Sequence, residues 1–332
     1  MVEVGIDRVG QMSRQSRMLQ PDVAVITAVG SEHQSGLGSL DTTQREKARL
    51  LEGLRRPGLA ILNGDDPRVR AMAGWTDARV VTYGLGPGND VRASGVRLEW
   101  PRGTRFTLHA DGATRELCLQ LLGRTMVAPA LAAVAVATNQ GLALDDVVAA
   151  LERLAPTPGR LQVVALPDQV RLIRDDTKAS VETIHAAFVL AEIPGRRLLV
   201  PSESPEWPES LEASYRCLGR RMADMLEAAI FVGDAHGRLA ACAREAGMPG
   251  EALHTVEPGV KAAVAALRGL MRPGDTILVK RPLYQRLERI ALALQGETVG
   301  CDLAHCGAVS VSLQCATCPM RVAGWGERRV LR

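Results

Sequence analysis

The sequence predicts an α/β protein in which one mostly parallel, helix-covered sheet follows another. Three observations carry that expectation. Short aliphatic runs that end on polar residues alternate with helix-length stretches, the pattern of βαβ units. The chain is 46% hydrophobic but only 3% aromatic, so its core must be built from Leu, Val, Ile and Ala, which suits parallel strands buried on both faces. The segment Ala155-Pro156-Thr157-Pro158-Gly159 reads as a linker, and the alternation restarts beyond it.

In order along the chain, residues 1–6 are strand-like and bring Glu3 and Gly5 near a strand end. Residues 23–27 are a second strand, and residues 42–54 a helix that Arg55-Arg56-Pro57-Gly58 stops. Strands follow at 59–63 and 79–83. Residues 91–121 alternate polar and apolar side chains, with Gly103 and Asp111-Gly112 as turn signals, and read as antiparallel hairpins. An Ala-rich helix covers 127–138 and another covers 144–154. Past the linker, strands are expected at 170–174, 197–200, 228–232, 253–256 and 276–279, with a helix at 181–191 between the first two. Residues 300–332 show no clear period. The expected organisation is therefore a first domain over 1–155, a second, Rossmann-like one over 156–297, and a Cys-rich tail over 298–332.

Two lanes of function are excluded early. The net charge of +3 comes without a charged block, so there is no electrostatic footprint for nucleic acid. No apolar run reaches 18 residues and no charged-then-apolar leader opens the chain, so neither a membrane span nor export is expected, and a cytoplasmic location is. Of seven cysteines, four crowd into the 18 residues from Cys301 to Cys318, which in a reducing compartment suggests metal before disulfides. Cys301-x₄-Cys306 and Cys315-x₂-Cys318 have the makings of a Cys₄ zinc site, with His305 as a substitute ligand; free thiols on an unstructured tail are the alternative. Cys118, Cys217 and Cys242 read as isolated.

Ligands of open α/β sheets bind outside the carboxyl ends of the strands. In the first 70 residues three such ends are polar: Glu3, the run Thr27-Ala28-Val29-Gly30-Ser31-Glu32-His33, and Asn63-Gly64-Asp65-Asp66-Pro67. Together with Lys47 on the intervening helix they argue for a nucleotide or phosphate site. Each has an ordinary alternative on the residues alone. Glu3 can be a solvated strand end, His33 a loop hydrogen-bonder and Lys47 a solvated helix lysine. Asn63, Asp65 and Asp66 can cap their own turn. Arg160 can be a linker residue, and Asp176 the cap of a helix.

The order Glu-x-Gly, strand-Thr…His, Glu-Lys-Ala, Asn-Gly-Asp-Asp-Pro, Pro-Gly-Arg, Asp-Asp-Thr-Lys-Ala-Ser and Leu-Val-Lys resembles the Mur ligases of peptidoglycan synthesis, over residues 1–296. The resemblance implies a Mur central, ATP-binding domain that is incomplete at its start, then a Rossmann-like C-terminal domain. It implies ATP-dependent joining of an acid and an amine through an acyl phosphate, with ATP and Mg²⁺ as cofactors. The substrates it implies are a nucleotide-sugar peptide or other carboxylate and an amino acid or dipeptide. Glu3 and His33 would then be Mg²⁺ ligands, and Lys47 the lysine that becomes a carbamate, for which it must first be a neutral amine. Asn63, Asp65 and Asp66 would lie by the nucleotide. Asp176 and Thr177 would hold ribose or metal, while Arg160 and Lys178 would swing in on domain closure and meet the charge of the transferring phosphoryl group.

The chain also departs from that family. No Gly-rich loop ending in Gly-Lys-Thr or Gly-Lys-Ser occurs in it; the resemblance places that loop upstream of Met1, and the chain alone is expected to be inactive. Gly123-Arg124-Thr125-Met126-Val127-Ala128-Pro129 stands where relatives have Gly-x-His-Asn-x-x-Asn, Pro201-Ser202-Glu203 replaces Gly-Asp-Met, and Lys280-Arg281-Pro282 replaces Lys-Gly-Ser. A Mur-type ligase, a non-catalytic Mur-like binding protein with a zinc-binding tail, and a half-enzyme that borrows its phosphate loop from another polypeptide are the three functions left open.

Overall fold

The computed structural model describes residues 1–30, 34–177, 187–201, 212–233, 237–280, 285–307 and 314–324. The chain forms two compact units, Met1–Ala155 and Pro156–Arg332.

The first unit holds a six-stranded sheet whose strands follow chain order: β1 (Val23–Ile26), β2 (Leu59–Asn63), β3 (Arg79–Gly84), β4 (Val91–Glu99), β5 (Gly103–Ala110) and β6 (Ala113–Leu119). Strands β1 to β4 pair in parallel, and β4, β5 and β6 form an antiparallel meander. Its helices are α1 (Gln11–Leu19), α2 (Gln34–Leu37), α3 (Leu40–Glu52), α4 (Pro67–Ala71), α5 (Val127–Asn139) and α6 (Leu144–Glu152). Strand β2 has no polar face because both its faces are covered. Leu59 and Ile61 join Val127, Leu131 and Val134 of α5 in one core. Ala60 and Leu62 join Ala48 and Leu51 of α3 and Val69 of α4 in another. Ile61 and Leu62 are 0% exposed, and burial of each contributes about 2–3 kcal/mol. The Ser39 hydroxyl accepts the Thr42 N–H at 3.2 Å and so starts α3.

The strand expected over residues 1–6 does not form. The segment has no sheet partner, and it is anchored by a side chain instead: Ile6 is buried with Met12 and Leu37. Hydrophobic residues alone do not make a strand when no neighbouring edge is available to take its backbone groups.

The second unit holds β7 (Gln162–Ala165), β8 (Arg171–Asp175), β9 (Arg197–Val200), β10 (Ala228–Val232), β11 (Leu253–Val256) and β12 (Thr276–Lys280), in the spatial order β11-β10-β9-β12-β8-β7. All pairs are parallel except β7 with β8. The chain runs outward from β9 to β11 and then returns to insert β12 between β8 and β9. That return sets Lys280, the last residue of β12, opposite Asp175, the last of β8. Helices α7 (Glu212–Met225), α8 (Arg238–Glu245), α9 (Val260–Leu270) and α10 (Glu288–Leu294) complete the described part. Val260, Ala263, Val264 and Leu267 of α9 and Ile290, Ala291 and Leu294 of α10 share a core with the central strands. The helix expected over 181–191 falls largely outside the described residues, and Ala187–Glu192 is a 3₁₀ turn.

The C-terminal residues belong to this second unit. The N–H groups of Gly300 and Cys301 donate to the Arg321 carbonyl at 2.8 and 3.0 Å. Helix α9 begins after Gly259, which has no side chain to cap it; the Asp302 carboxylate accepts the Val260 and Lys261 N–H groups at 2.6 and 3.0 Å in its place. Among the described residues no helix is long and apolar enough to cross a membrane.

Candidate functional site

In the first unit the polar residues at the ends of β1 and β2 converge on a single loop. Asn63 Nδ2 donates to the Thr27 carbonyl at 2.8 Å, Lys47 Nζ donates to the Ala28 carbonyl at 2.7 Å, and the Val29 N–H donates to Asp66 Oδ2 at 2.8 Å. Three consecutive residues after β1 are thus held by side chains from β2, α3 and the cap of α4. Asp66 does two jobs: its other oxygen accepts the Arg68 and Val69 N–H groups at 2.9 and 3.2 Å, ahead of Pro67 at the first helical position. Asn63 Oδ1 accepts the Asp65 N–H at 3.0 Å and closes the turn. Asp65 reaches across to the loop after β3, where it accepts from the Leu85 and Gly86 N–H groups and from Asn89 Nδ2, the last two at 2.9 Å. Burial, with Asp66 and Asp65 nearby, pushes the Tyr83 phenol well above its ordinary range.

Glu3 is exposed, and His33 lies outside the described residues. Among the described residues no three His, Cys, Asp or Glu side chains gather as a metal site. Mg²⁺ does not require such a cage, because it is commonly held by one or two protein groups with phosphate oxygens and water filling the rest of its shell. An exposed carboxylate such as Glu3 is compatible with that mode.

In the second unit a charged corner forms where β8 and β12 end. Lys280 Nζ lies 2.9 Å from Asp175 Oδ2, both side chains buried. Burial pulls the Lys280 ammonium down and the Asp175 carboxyl up, and each opposes the other's shift. The charge of Arg160 favours the ionised Asp175 carboxylate and disfavours the charged Lys280 ammonium. Arg174 forks onto Asp176, with Nε to Oδ2 at 3.0 Å and Nη2 to Oδ1 at 3.1 Å. Burial pushes the Asp176 carboxyl up against the pull of Arg174. Thr177 Oγ1 donates to the Gly159 carbonyl at 3.0 Å. The loop over 157–160 and the end of β8 are therefore stitched together, and Lys178 lies outside the described residues. Sequence reasoning passed over Arg174, Asp175, Glu288 and Lys280. The signal for the last was the apolar run ending in Lys280, read as part of the family resemblance and as the start of a departure from it, with no role assigned to the lysine.

Gly159 makes that stitching possible. Its φ is +72°, and a Cβ there would stand 2.4 Å from Asp176 Oδ1 and 2.6 Å from Thr177 Cγ2. Gly159→Ala is expected to lower stability by about 2–3 kcal/mol through backbone strain and the clash with a buried carboxylate, read as a lower midpoint in denaturant.

The zinc site expected from the four tail cysteines does not form among the described residues, which include all four. Cys301 is buried and its Sγ accepts from Arg289 Nη1 at 3.1 Å. The Cys315 thiol is hydrogen-bonded to Glu288; burial first and then that bond push it far above the usual thiol range, opposite to the thiolate a zinc ligand needs. What orders the segment is Arg289, 1% exposed. Its guanidinium donates to the carbonyls of Cys301, Leu303, Gln285 and Arg286 at 2.9, 2.6, 3.0 and 3.0 Å. Iodoacetamide at pH 8 is expected to label Cys315 about 10-fold more slowly in the folded chain than in the unfolded one, read by peptide mass spectrometry; equal rates would contradict the half-buried, Glu288-bonded thiol.

Over 320 residues the chain is 33% identical to a protein of Mycobacterium tuberculosis named "UDP-N-acetylmuramoyl-tripeptide--D-alanyl-D-alanine ligase", an alignment covering 86% of this chain and 60% of that protein. Residues 1–137 match the family described as Mur ligase middle domain. Residues 1–137 are thus a Mur ligase middle domain, and most of the chain is similar to Mur ligases. Its fold is that of solved Mur ligases. A structure titled as MurF from Acinetobacter baumannii superposes with a TM-score of 0.77 at 24% identity, covering 89% of this chain and 65% of that one. A MurF ligase from Thermotoga maritima, titled as a complex with ADP, superposes with a TM-score of 0.74 at 20% identity, covering 88% and 65%. The chain spans about 60% of the length of the curated Mur ligase that it matches.

Proposed function

We propose that this chain carries the nucleotide-handling part of an ATP-dependent Mur ligase, one that joins the terminal carboxylate of a nucleotide-sugar peptide to the amine of D-alanyl-D-alanine. The observation that supports this most is the loop after β1, held at Thr27, Ala28 and Val29 by Asn63, Lys47 and Asp66, at the strand ends where open α/β sheets bind ligands. The substrates are those in the name of the M. tuberculosis relative. In the reaction a carboxylate oxygen bonds to the γ-phosphorus as ADP leaves. The amine then bonds to the acyl carbon as phosphate leaves, and the amine's proton is given up.

The residues divide the work. Glu3 and His33 would hold Mg²⁺, which when bound neutralises the repulsion between triphosphate and carboxylate. Lys47, as a neutral amine, would add CO₂ and lose a proton; the resulting carbamate keeps one N–H for the Ala28 carbonyl and adds an anion. Asn63, Asp65 and Asp66 would fix the backbone that borders the nucleotide. Arg160 and Lys178 would supply positive charge as the phosphoryl group transfers, from a loop that Asp176 and Thr177 would hold in place for the nucleotide. Isothermal titration of the folded chain with Mg·ADP is expected to show a single binding site. A folded chain that gives no binding heat at any accessible nucleotide concentration would overturn the reading.

A further inference from the structure

We infer that the segment around Cys315 sets the loop that carries Arg160, with Glu288 and Arg174 as the positioning residues that connect the two. The inference rests on the proposed nucleotide site only for what that loop serves.

The connection is a continuous run of polar contacts. Glu288 Oε1 accepts the backbone N–H of Cys315, and Glu288 Oε2 accepts Arg174 Nη2 at 2.9 Å. A guanidinium gripped by one carboxylate can still tilt about that shared edge. A second carboxylate fixes its plane. With its plane fixed, Arg174 reaches residues 157–160 twice. One route runs through the carboxylate of Asp176, against which Gly159 sits with no room for a Cβ. The other runs through Gln162: its Oε1 accepts both Arg174 Nη1 at 3.4 Å and the Gly159 N–H at 3.3 Å. Arg160 is the next residue. The charged members are shielded from water, with side-chain exposures of 14% for Arg174, 2% for Asp176 and 10% for Glu288, so a misplaced partner is not readily replaced by solvent. The first two residues of α10 divide the tail between them: Glu288 takes Cys315, and Arg289 takes Cys301 and Leu303.

One substitution isolates the link. Cys315→Pro removes the N–H that Glu288 accepts. Cys315 opens a 3₁₀ turn, and Gln314 before it has φ −101° and ψ 143°, a conformation that tolerates a following proline. Cys315→Ala keeps that N–H and removes the thiol, so it is the control that separates the backbone bond from the thiol's own bond to Glu288. Hydrogen exchange of the Gly159, Arg160 and Leu161 amides is expected to quicken about 5-fold in Cys315→Pro and in Glu288→Gln, with Mg·ADP affinity falling about 3- to 10-fold, and Cys315→Ala staying within about 2-fold of the native chain. Arg174→Lys keeps the charge but not the fork, and is expected not to restore slow exchange. Unchanged exchange at 159–161 in Cys315→Pro overturns the inference. So does an equal acceleration across all of the second unit, which marks general destabilisation. If the native chain binds no Mg·ADP, the nucleotide reading falls, and the exchange measurement still decides the connection.

Discussion

Ligase turnover is expected to fall by about 10²- to 10⁴-fold in Lys47→Ala, measured in a polypeptide that contains these residues and carries the proposed activity, because both the loop contact and the proposed carbamate would be lost. Lys47→Arg separates those two roles. An arginine can still donate to the Ala28 carbonyl that Lys47 meets at 2.7 Å, but it stays protonated and cannot take up CO₂. Turnover in Lys47→Arg is therefore expected to stay as low as in Lys47→Ala. Recovery to within about 10-fold of the native rate would mean that Lys47 acts by holding the loop alone, and the carbamate would have to be abandoned.

Arg289→Met is expected to lower the stability of the second unit by about 4–6 kcal/mol, read as a loss in chemical-denaturation midpoint. The replacement fills part of the space but donates nothing. It leaves the carbonyls of Cys301, Leu303, Gln285 and Arg286 without the donor they share. Each buried orphan costs about 1–3 kcal/mol, and some of the tail will loosen to let water reach them. A domain is typically stable by about 5–15 kcal/mol, so this single change brings the unit close to unfolding. A loss below about 1 kcal/mol would show that the tail is held by something other than this guanidinium.

The two predictions draw on parts of the chain that were unequally visible in sequence. Strands β2, β9 and β10 lie where their aliphatic runs place them, since a strand covered on both faces writes itself as a nearly uninterrupted apolar run. The meander β4 to β6 was equally plain from alternation and its Gly turns. Helix α1 was not, because only Met12 and Ser16 of it are buried and its other residues are mostly polar. Strand β7 was hidden by the neighbouring Pro-Thr-Pro-Gly, which reads as pure linker, and its ladder depends on β8 across a turn. The positions of Lys47, Asn63 and Asp66 were legible through the order of motifs. That they meet on Thr27, Ala28 and Val29 was not, because those bonds span 19, 36 and 37 residues of sequence. The cysteines misled for the same reason: close spacing suggested a shared ion, whereas Cys301 and Cys315 are engaged by Arg289 and Glu288, residues that no cysteine pattern can announce.

The way α10 is satisfied has a consequence for synthesis on the ribosome. Arg289 finds two of its four acceptors at Cys301 and Leu303, and the N–H groups of Gly300 and Cys301 wait for the Arg321 carbonyl. All six strands of the first sheet lie before Ala155. At elongation rates of about 5–20 residues per second, the first unit can mature for roughly 10–30 s while the second is still being translated, and Arg289 then waits about another 1–3 s for its acceptors at Cys301 and Leu303. A stop codon placed just before Arg321 would leave the nascent protein half native and half a substrate for chaperones.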